Sequence, residues 1–287
     1  MTREGALVLV ATPIGNLGDL APRAVEALKS ADVIAAEDTR RTRALLSHAG
    51  IPGGHRLVAV HEHNERTRAA ELVERIRSGE RVAFVTDAGM PGISDPGERL
   101  VRVCAEAGMK VEVVPGPSAA LAALVVSGLP TSRFVMEGFL PRQGRERGER
   151  LAEVAREPRT VVLYEAPHRL HRTLTDLAEA CGAERVVVIA RELTKLHEEL
   201  WRGNLGDAAT RAGQADPIGE HVLVLAGATA AAPATDDDLR AALAAARADG
   251  RSGRDAVAEV AAAFGVPRRH VYDLDIARPK GPVPPTG

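Results

Sequence analysis

Four times along this 287-residue chain a short apolar run ends abruptly in a cluster of glycine and proline. Residues 82–86 open into Asp87-Ala88-Gly89-Met90-Pro91-Gly92-Ile93-Ser94-Asp95-Pro96-Gly97. Residues 8–11 run into Thr12-Pro13-Ile14-Gly15-Asn16-Leu17-Gly18-Asp19, 111–114 into Pro115-Gly116-Pro117-Ser118, and 160–164 into Glu165-Ala166-Pro167-His168. A buried strand that gives way to such a loop abandons regular hydrogen bonding and turns its amides and carbonyls toward something else. Glycine removes the side chain that would hold a ligand off, and proline keeps the loop in one shape. In an open α/β sheet, ligands sit at the carboxyl ends of the strands. One such junction is an ordinary turn, but four of them point to a shared cleft.

Strand-like and helix-like patterns alternate from the start. Strands are predicted over 7–11, 33–36, 57–60, 82–86 and 111–114, with helices over 22–31, 39–48, 65–78 and 98–107 between them. Short all-apolar strands separated by helices imply a mainly parallel sheet covered on both faces. A second α/β unit follows, with helices over 119–127, 151–156, 170–181 and 205–212 and strands over 134–136, 160–164, 186–190, 199–201 and 221–225. Some of its connections are too short for helical crossovers, so mixed strand directions are expected there. Residues 138–148, dense in Arg, Gln and Gly, read as an exposed loop. After a linker of Ala, Gly, Thr and Pro at 226–235, three short helices over 237–248, 252–264 and 267–276 read as a helix-turn-helix or as a small docking bundle. The expected domains are 1–115, 116–227 and a helical extension over 236–279.

Composition narrows the function. No stretch approaches the roughly 18 to 20 apolar residues of a membrane span, and nothing reads as a secretory signal. Cys104 and Cys181 fall in separate helical patterns, which suggests a reducing cytoplasm rather than a disulfide framework. The net charge of -2 excludes a globally basic nucleic-acid coat while allowing a local patch. Aromatic residues make up 2% of the chain, so a nucleic-acid partner has to be held chiefly by arginine. Arginine far outnumbers lysine, present only as Lys29, Lys110, Lys195 and Lys280, so each arginine alone is weak evidence.

The ordered motifs carry a resemblance. Val10-Ala11-Thr12-Pro13-Ile14-Gly15-Asn16-Leu17-Gly18-Asp19, Glu37-Asp38-Thr39-Arg40, His61-Glu62-His63-Asn64-Glu65, the 87–97 loop, Pro115-Gly116-Pro117-Ser118, Glu137-Gly138-Phe139-Leu140-Pro141, Tyr164-Glu165-Ala166-Pro167-His168-Arg169 and Arg191-Glu192-Leu193-Thr194-Lys195 together span residues 6–226. They resemble the tetrapyrrole methylase superfamily, in its branch of 16S ribosomal RNA cytidine 2'-O-methyltransferases. The closing helices are similar to that branch's helix-turn-helix extension. The resemblance implies a two-domain tetrapyrrole-methylase-like α/β fold, a homodimer, S-adenosylmethionine held between the two domains, and methylation of a cytidine ribose in the decoding region of the small subunit. Where tetrapyrrole enzymes usually carry Gly-Asp-Pro this chain has Gly89-Met90-Pro91, and ribosomal relatives more often have Thr at 90, so that position is assigned backbone contact only.

On that basis Pro13, Asp87, Gly89, Ile93, Ser118, Ala119, Tyr164 and Leu193 are expected to line the cofactor site, with Ser118 equally suited to cap the next helix. A ribose hydroxyl needs a proton acceptor near the methyl. Candidates are Glu37, Asp38, Asp87, Glu192 and Lys195, with Lys195, Glu37 and Asp38 as the catalytic set. Lys195 is a base only if its pKa is lowered, and Glu192 opposes that. Arg40 with Arg41 and Arg43, His61, His63 and Asn64, Arg142, His168 and Arg169 are expected against RNA. No metal is expected, since His61 and His63 at i and i+2 need a third ligand from elsewhere. Two rivals remain: a methylase of an acidic tetrapyrrole, suited by the Arg-rich 138–148 segment, and a nucleic-acid-binding module for which the α/β body is only a scaffold.

Overall fold

The computed structural model describes residues 4–52, 54–61, 64–214, 217–229 and 234–277, which form two compact units that meet at Ala228 and Thr229. The first unit opens with β1 (Ala6–Val10), α1 (Pro22–Ser30), β2 (Val33–Ala36), α2 (Thr39–His48), β3 (Leu57–Ala59), α3 (Glu65–Arg77), β4 (Arg81–Val85), α4 (Glu98–Glu106) and β5 (Lys110–Val114). Its five strands pair in the order β3-β2-β4-β1-β5, all parallel. Alternate residues of the buried strands serve opposite faces. Val8, Val10, Ile34 and Val85 pack with Leu28 and Leu46 of α1 and α2, while Leu7, Val33, Val82 and Phe84 pack with Leu72, Ile76 and Leu100 of α3 and α4. Helix starts are set locally: Pro22 occupies the first turn of α1, and the Asp38 side chain accepts the Arg40 N–H to cap α2.

The chain continues through α5 (Ala119–Ser127), β6 (Phe134–Phe139), α6 (Gly144–Arg156), β7 (Thr160–Glu165), α7 (Leu170–Cys181), β8 (Val186–Arg191), β9 (Glu199–Asn204), α8 (Leu205–Gln214) and β10 (His221–Leu225). This second sheet has the order β6-β7-β10-β8-β9. Only β6 and β7 are parallel, and β10 runs antiparallel to both β7 and β8, as the short connections require. α5 covers one face through Ala120, Ala123 and Leu124. α7 and α8 cover the other through Leu170, Leu174, Leu177 and Leu205.

The 138–148 segment departs from the expected exposed loop. Strand β6 continues to Phe139 past a register shift between Met136 and Gly138, and α6 begins at Gly144. The helix is hard to see in the sequence because a buried arginine takes the place of an apolar residue. Arg147 reaches Asp176, the Pro141 carbonyl and the Thr173 hydroxyl at 2.8, 2.8 and 3.0 Å, so its charge is paired and its donors are satisfied. An Arg145–Glu149 pair at 2.6 Å supports the exposed face.

The second unit contains α9 (Asp236–Ala248), α10 (Gly253–Phe264) and α11 (Arg268–Ile276), around Leu239, Leu243, Val257, Val260, Val271 and Leu274. Thr235 and Asp238 form a capping box, Ser252 caps α10, and Gly265 ends that helix at φ 63°.

Candidate active site

The three parallel strands β4, β1 and β5 are neighbours, so the loops that leave their carboxyl ends emerge side by side. They are then tied together. Thr12 and Gly89 exchange two backbone hydrogen bonds at 2.9 and 3.1 Å, and Ala11 N–H donates to the Val114 carbonyl at 3.1 Å. The Thr12 hydroxyl reaches the Thr86 carbonyl at 3.3 Å. Gly89 sits at φ 78°, so glycine supplies the backbone conformation the loop needs. Further along, Gly97 at φ 126° packs against Phe84, with an added Cβ only 3.0 Å from the ring. Its N–H donates to Glu65 at 3.2 Å.

These loops form one side of a cavity of about 340 Å³, with the second sheet and α5 on the other. Ile14, Ile93, Leu193 and Val222 give it apolar surface, and Glu37, Asp87 and Asp95 give it acid. Its size falls within the roughly 300–1,000 Å³ of small-molecule sites. Tyr164 accepts a hydrogen bond from Ala120 N–H at 3.3 Å. Ser118 occupies the N-cap position of α5 without capping it.

The acids differ in environment. Asp87 accepts the Asp38 N–H at 3.1 Å and pairs with Arg41 at 3.5 Å. Glu37 is raised by burial and by the nearby Asp87 charge, against which the Asp87 N–H and Arg41 work. Asp95 is pushed up to about 7, first by burial and then by the charges of Glu37 and Asp87. A group poised near neutrality inside a cleft is a mark of function. At the far wall the buried His221 is held down by burial and by Arg191, and its Nδ1 has no hydrogen-bond partner among the described residues.

Sequence reasoning placed seven of the eight expected cofactor residues on this cavity: Asp87, Gly89, Ile93, Ser118, Ala119, Tyr164 and Leu193 all line it, whereas Pro13 is buried beside the lining Ile14. Glu37 also lines it. The Asp38 carboxylate is instead turned outward, capping α2 and pairing with Arg40 at 3.2 Å. Lys195 lies under Gly15, where an added Cβ would be 2.4 Å from its side chain. Its ammonium reaches Glu192 at 2.8 Å and Glu220 at 3.1 Å. Burial works to lower it, but these two carboxylates hold it above the usual lysine range, which favours a fixed cation over a base. Glu192 and Thr194 have φ of 51° and 66°, a backbone strain of the kind that gathers at functional sites.

Of the residues expected against a substrate, Arg40, His61, Arg142 and His168 are exposed. Asn64 closes its own turn, accepting His61 N–H at 2.9 Å and donating to the Ala59 carbonyl at 3.2 Å. Arg169 faces inward, to the buried Glu165 at 3.3 Å and the Leu140 carbonyl at 2.5 Å. His63 lies outside the described residues. The sequence reading missed Asp95, His221 and Phe139. Asp95 sits in a motif it did single out, but only the fold shows which loop carboxylate is left unpaired. His221 belongs to an unremarkable strand, with no local signal.

The family model for Tetrapyrrole (Corrin/Porphyrin) Methylases matches residues 6–209. The chain belongs to the tetrapyrrole methylase family. Among relatives of this methylase, proteins named ribosomal RNA small subunit methyltransferase I are 48% identical in Synechocystis sp., over 95% of this chain and 98% of that protein, and 46% identical in Mycobacterium tuberculosis, over 94% of each. A solved structure of uroporphyrin-III C-methyltransferase from Thermus thermophilus, complexed with S-adenosyl homocysteine, shares the fold with a TM-score of 0.55 at 23% identity, over 77% of this chain and 97% of that one.

Replacing Tyr164 by Phe strands the Ala120 N–H at the start of α5. The variant should unfold about 1 kcal/mol more easily in denaturant titration, and equal stability would show that the bond contributes nothing.

Proposed function

We propose that this methylase transfers a methyl group to the 2'-hydroxyl of a cytidine ribose in the decoding region of 16S ribosomal RNA. At the coarser level, the chain is an S-adenosylmethionine-dependent ribosomal RNA small-subunit methyltransferase, by its family and its relatives of 46–51% identity. The observation that carries the finer reading is the pairing of an acidic, partly apolar cleft with an arginine-bearing exterior. S-adenosylmethionine carries a sulfonium and an ammonium against one carboxylate, and Glu37, Asp87 and Asp95 match that surplus of positive charge. Ile14, Ile93, Leu193 and Val222 offer apolar surface to its adenosine. The bound donor supplies an already activated methyl, so the protein's main contribution is alignment, for which fixed loops suit, to about 7–11 kcal/mol in favourable intramolecular cases.

Glu37, Asp87 and Asp95, three of the five carboxylates that line the cavity, weigh against a tetrapyrrole acceptor, whose own carboxylates they would repel. A phosphodiester can instead stay at the rim, where Arg40, Arg43, Arg142 and His168 are exposed and the fixed Lys195 cation lies at the Gly15 loop. The reading includes a homodimer. Leu121, Val125 and Val126 of α5, with Val111 and Val113 of the edge strand β5, expose apolar surface that a second copy would cover. It also places the enzyme in the cytoplasm and divides the chain into domains over 1–115, 116–227 and 236–279.

The direct test incubates purified protein with labelled S-adenosylmethionine and 30S subunits and maps the label by mass spectrometry. Label on a single cytidine ribose of the decoding region is expected, and label on a base, or only on a tetrapyrrole, would overturn the proposal. Arg142→Ala should weaken RNA binding across sequences and reduce the slope of log affinity against log salt by about 0.7 to 0.9. An unchanged slope would remove Arg142 from the RNA surface.

A further inference from the structure

Among the five carboxylates that line the cavity, four are engaged. Asp87 holds the Asp38 N–H and Arg41, and Glu37 accepts the Asp87 N–H at 3.4 Å. Glu165 binds Thr173, Ala166 N–H and Arg169, and Glu220 binds Lys195. Asp95 alone of these has no hydrogen bond or ion pair among the described residues. Its position is nevertheless defined. Gly92 N–H bonds to the Pro96 carbonyl at 3.2 Å across the loop tip, Ser94 is held at φ 59°, and Gly97 is wedged on Phe84.

We infer that the Asp95 carboxylate is the proton acceptor for the substrate hydroxyl, because it alone of the five has neither oxygen bonded among the described residues, and it stands on a loop fixed at the cleft. The inference rests on the reading of the cleft as a methyl-transfer site and names a residue for its missing chemistry. As the hydroxyl oxygen bonds to the methyl carbon, its O–H proton passes to an Asp95 carboxylate oxygen. The electron pair of the broken carbon–sulfur bond stays on sulfur, and the proton later leaves Asp95 to water. Burial and like charge suit Asp95 to this work, since a base is most effective when its pKa lies near the working pH. The titratable groups that act on or beside it are Glu37 just past β2, Asp87 just past β4 and Tyr164 on β7, and Arg41 on α2 and His221 on β10 line the same cavity. Glu37 and Asp87 raise its proton affinity. Among the described residues no cation bonds to it directly.

The experiment compares wild type, Asp95→Asn and Asp95→Glu on 30S subunits. Wild-type kcat/KM, which reports groups of the free enzyme, should rise with pH through a midpoint of about 7, the value to which Asp95 is pushed up. Asp95→Asn should lose on the order of 10² to 10⁴ in kcat and show no such acidic limb, with S-adenosylhomocysteine binding by calorimetry within about threefold of wild type. Asp95→Glu should regain part of the rate.

A second readout needs no activity. A raised carboxyl makes the folded state bind its proton more tightly than the unfolded state, so wild type loses stability as pH rises from the unfolded value toward and through about 7. Asn carries no such charge. The Tm of Asp95→Asn should therefore gain on that of wild type between pH 5 and pH 8. A variant with wild-type kcat, or a Tm difference that is flat with pH, overturns the assignment of Asp95. A wild-type enzyme that binds S-adenosylhomocysteine but leaves 30S subunits unmodified overturns the functional reading itself, and the inference with it.

Discussion

Two backbone hydrogen bonds between Thr12 and Gly89 hold the site in place. They join the loop after β1 to the loop after β4 just where both strands have left the sheet. Without them these segments, rich in glycine and proline, would have no ladder to restrain them, and restraining each residue costs about 1–2 kcal/mol of backbone entropy. With them, an isolated antiparallel bridge clamps the two loops together just beyond the parallel sheet. Backbone groups and short side chains are left facing the cavity. Gly89 suits this because its φ of 78° is a backbone conformation that residues with a side chain rarely adopt.

The electrostatic arrangement follows from the same geometry. β2 and β4 are adjacent, so Glu37 and Asp87 leave the sheet side by side and repel each other. Arg41, one turn into α2, relieves that repulsion at Asp87. Asp95 returns toward the pair on the same loop and has no cation of its own. On the opposite wall the charges balance differently, since Lys195 sits between Glu192 and Glu220. The wall built by the loops of the first sheet is therefore acidic, and Arg40, Arg43 and Arg142 are exposed.

Much of this was legible in the chain. The short all-apolar strands, the alternating helical patterns and the breaker clusters put most elements within a residue or two, with β6, α6 and β9 read too short, and the four junctions did mark one cavity. The local signal failed in identifiable places. α6 was shortened because Arg147, buried and fully paired, looks like a surface residue in a polar run. Arg169 carries the charge of a phosphate ligand but neutralises Glu165, a partner four residues away whose burial the sequence does not advertise. Asp38 and Asp95 are both acids in loops that follow strands of the first sheet. One is turned into a helix cap and the other left free, a distinction made by tertiary contacts alone.

The central claim is that loops from β1, β4 and β5, closed by the second sheet, hold the methyl donor. A crystal structure with S-adenosylhomocysteine tests it most directly. The account predicts the ligand in the cavity bounded by Ile14, Ile93, Tyr164 and Leu193, with the Thr12–Gly89 bonds intact and the sulfur on the Asp95 side. Ligand density elsewhere, or a cleft that admits it only by breaking those bonds, would contradict the account.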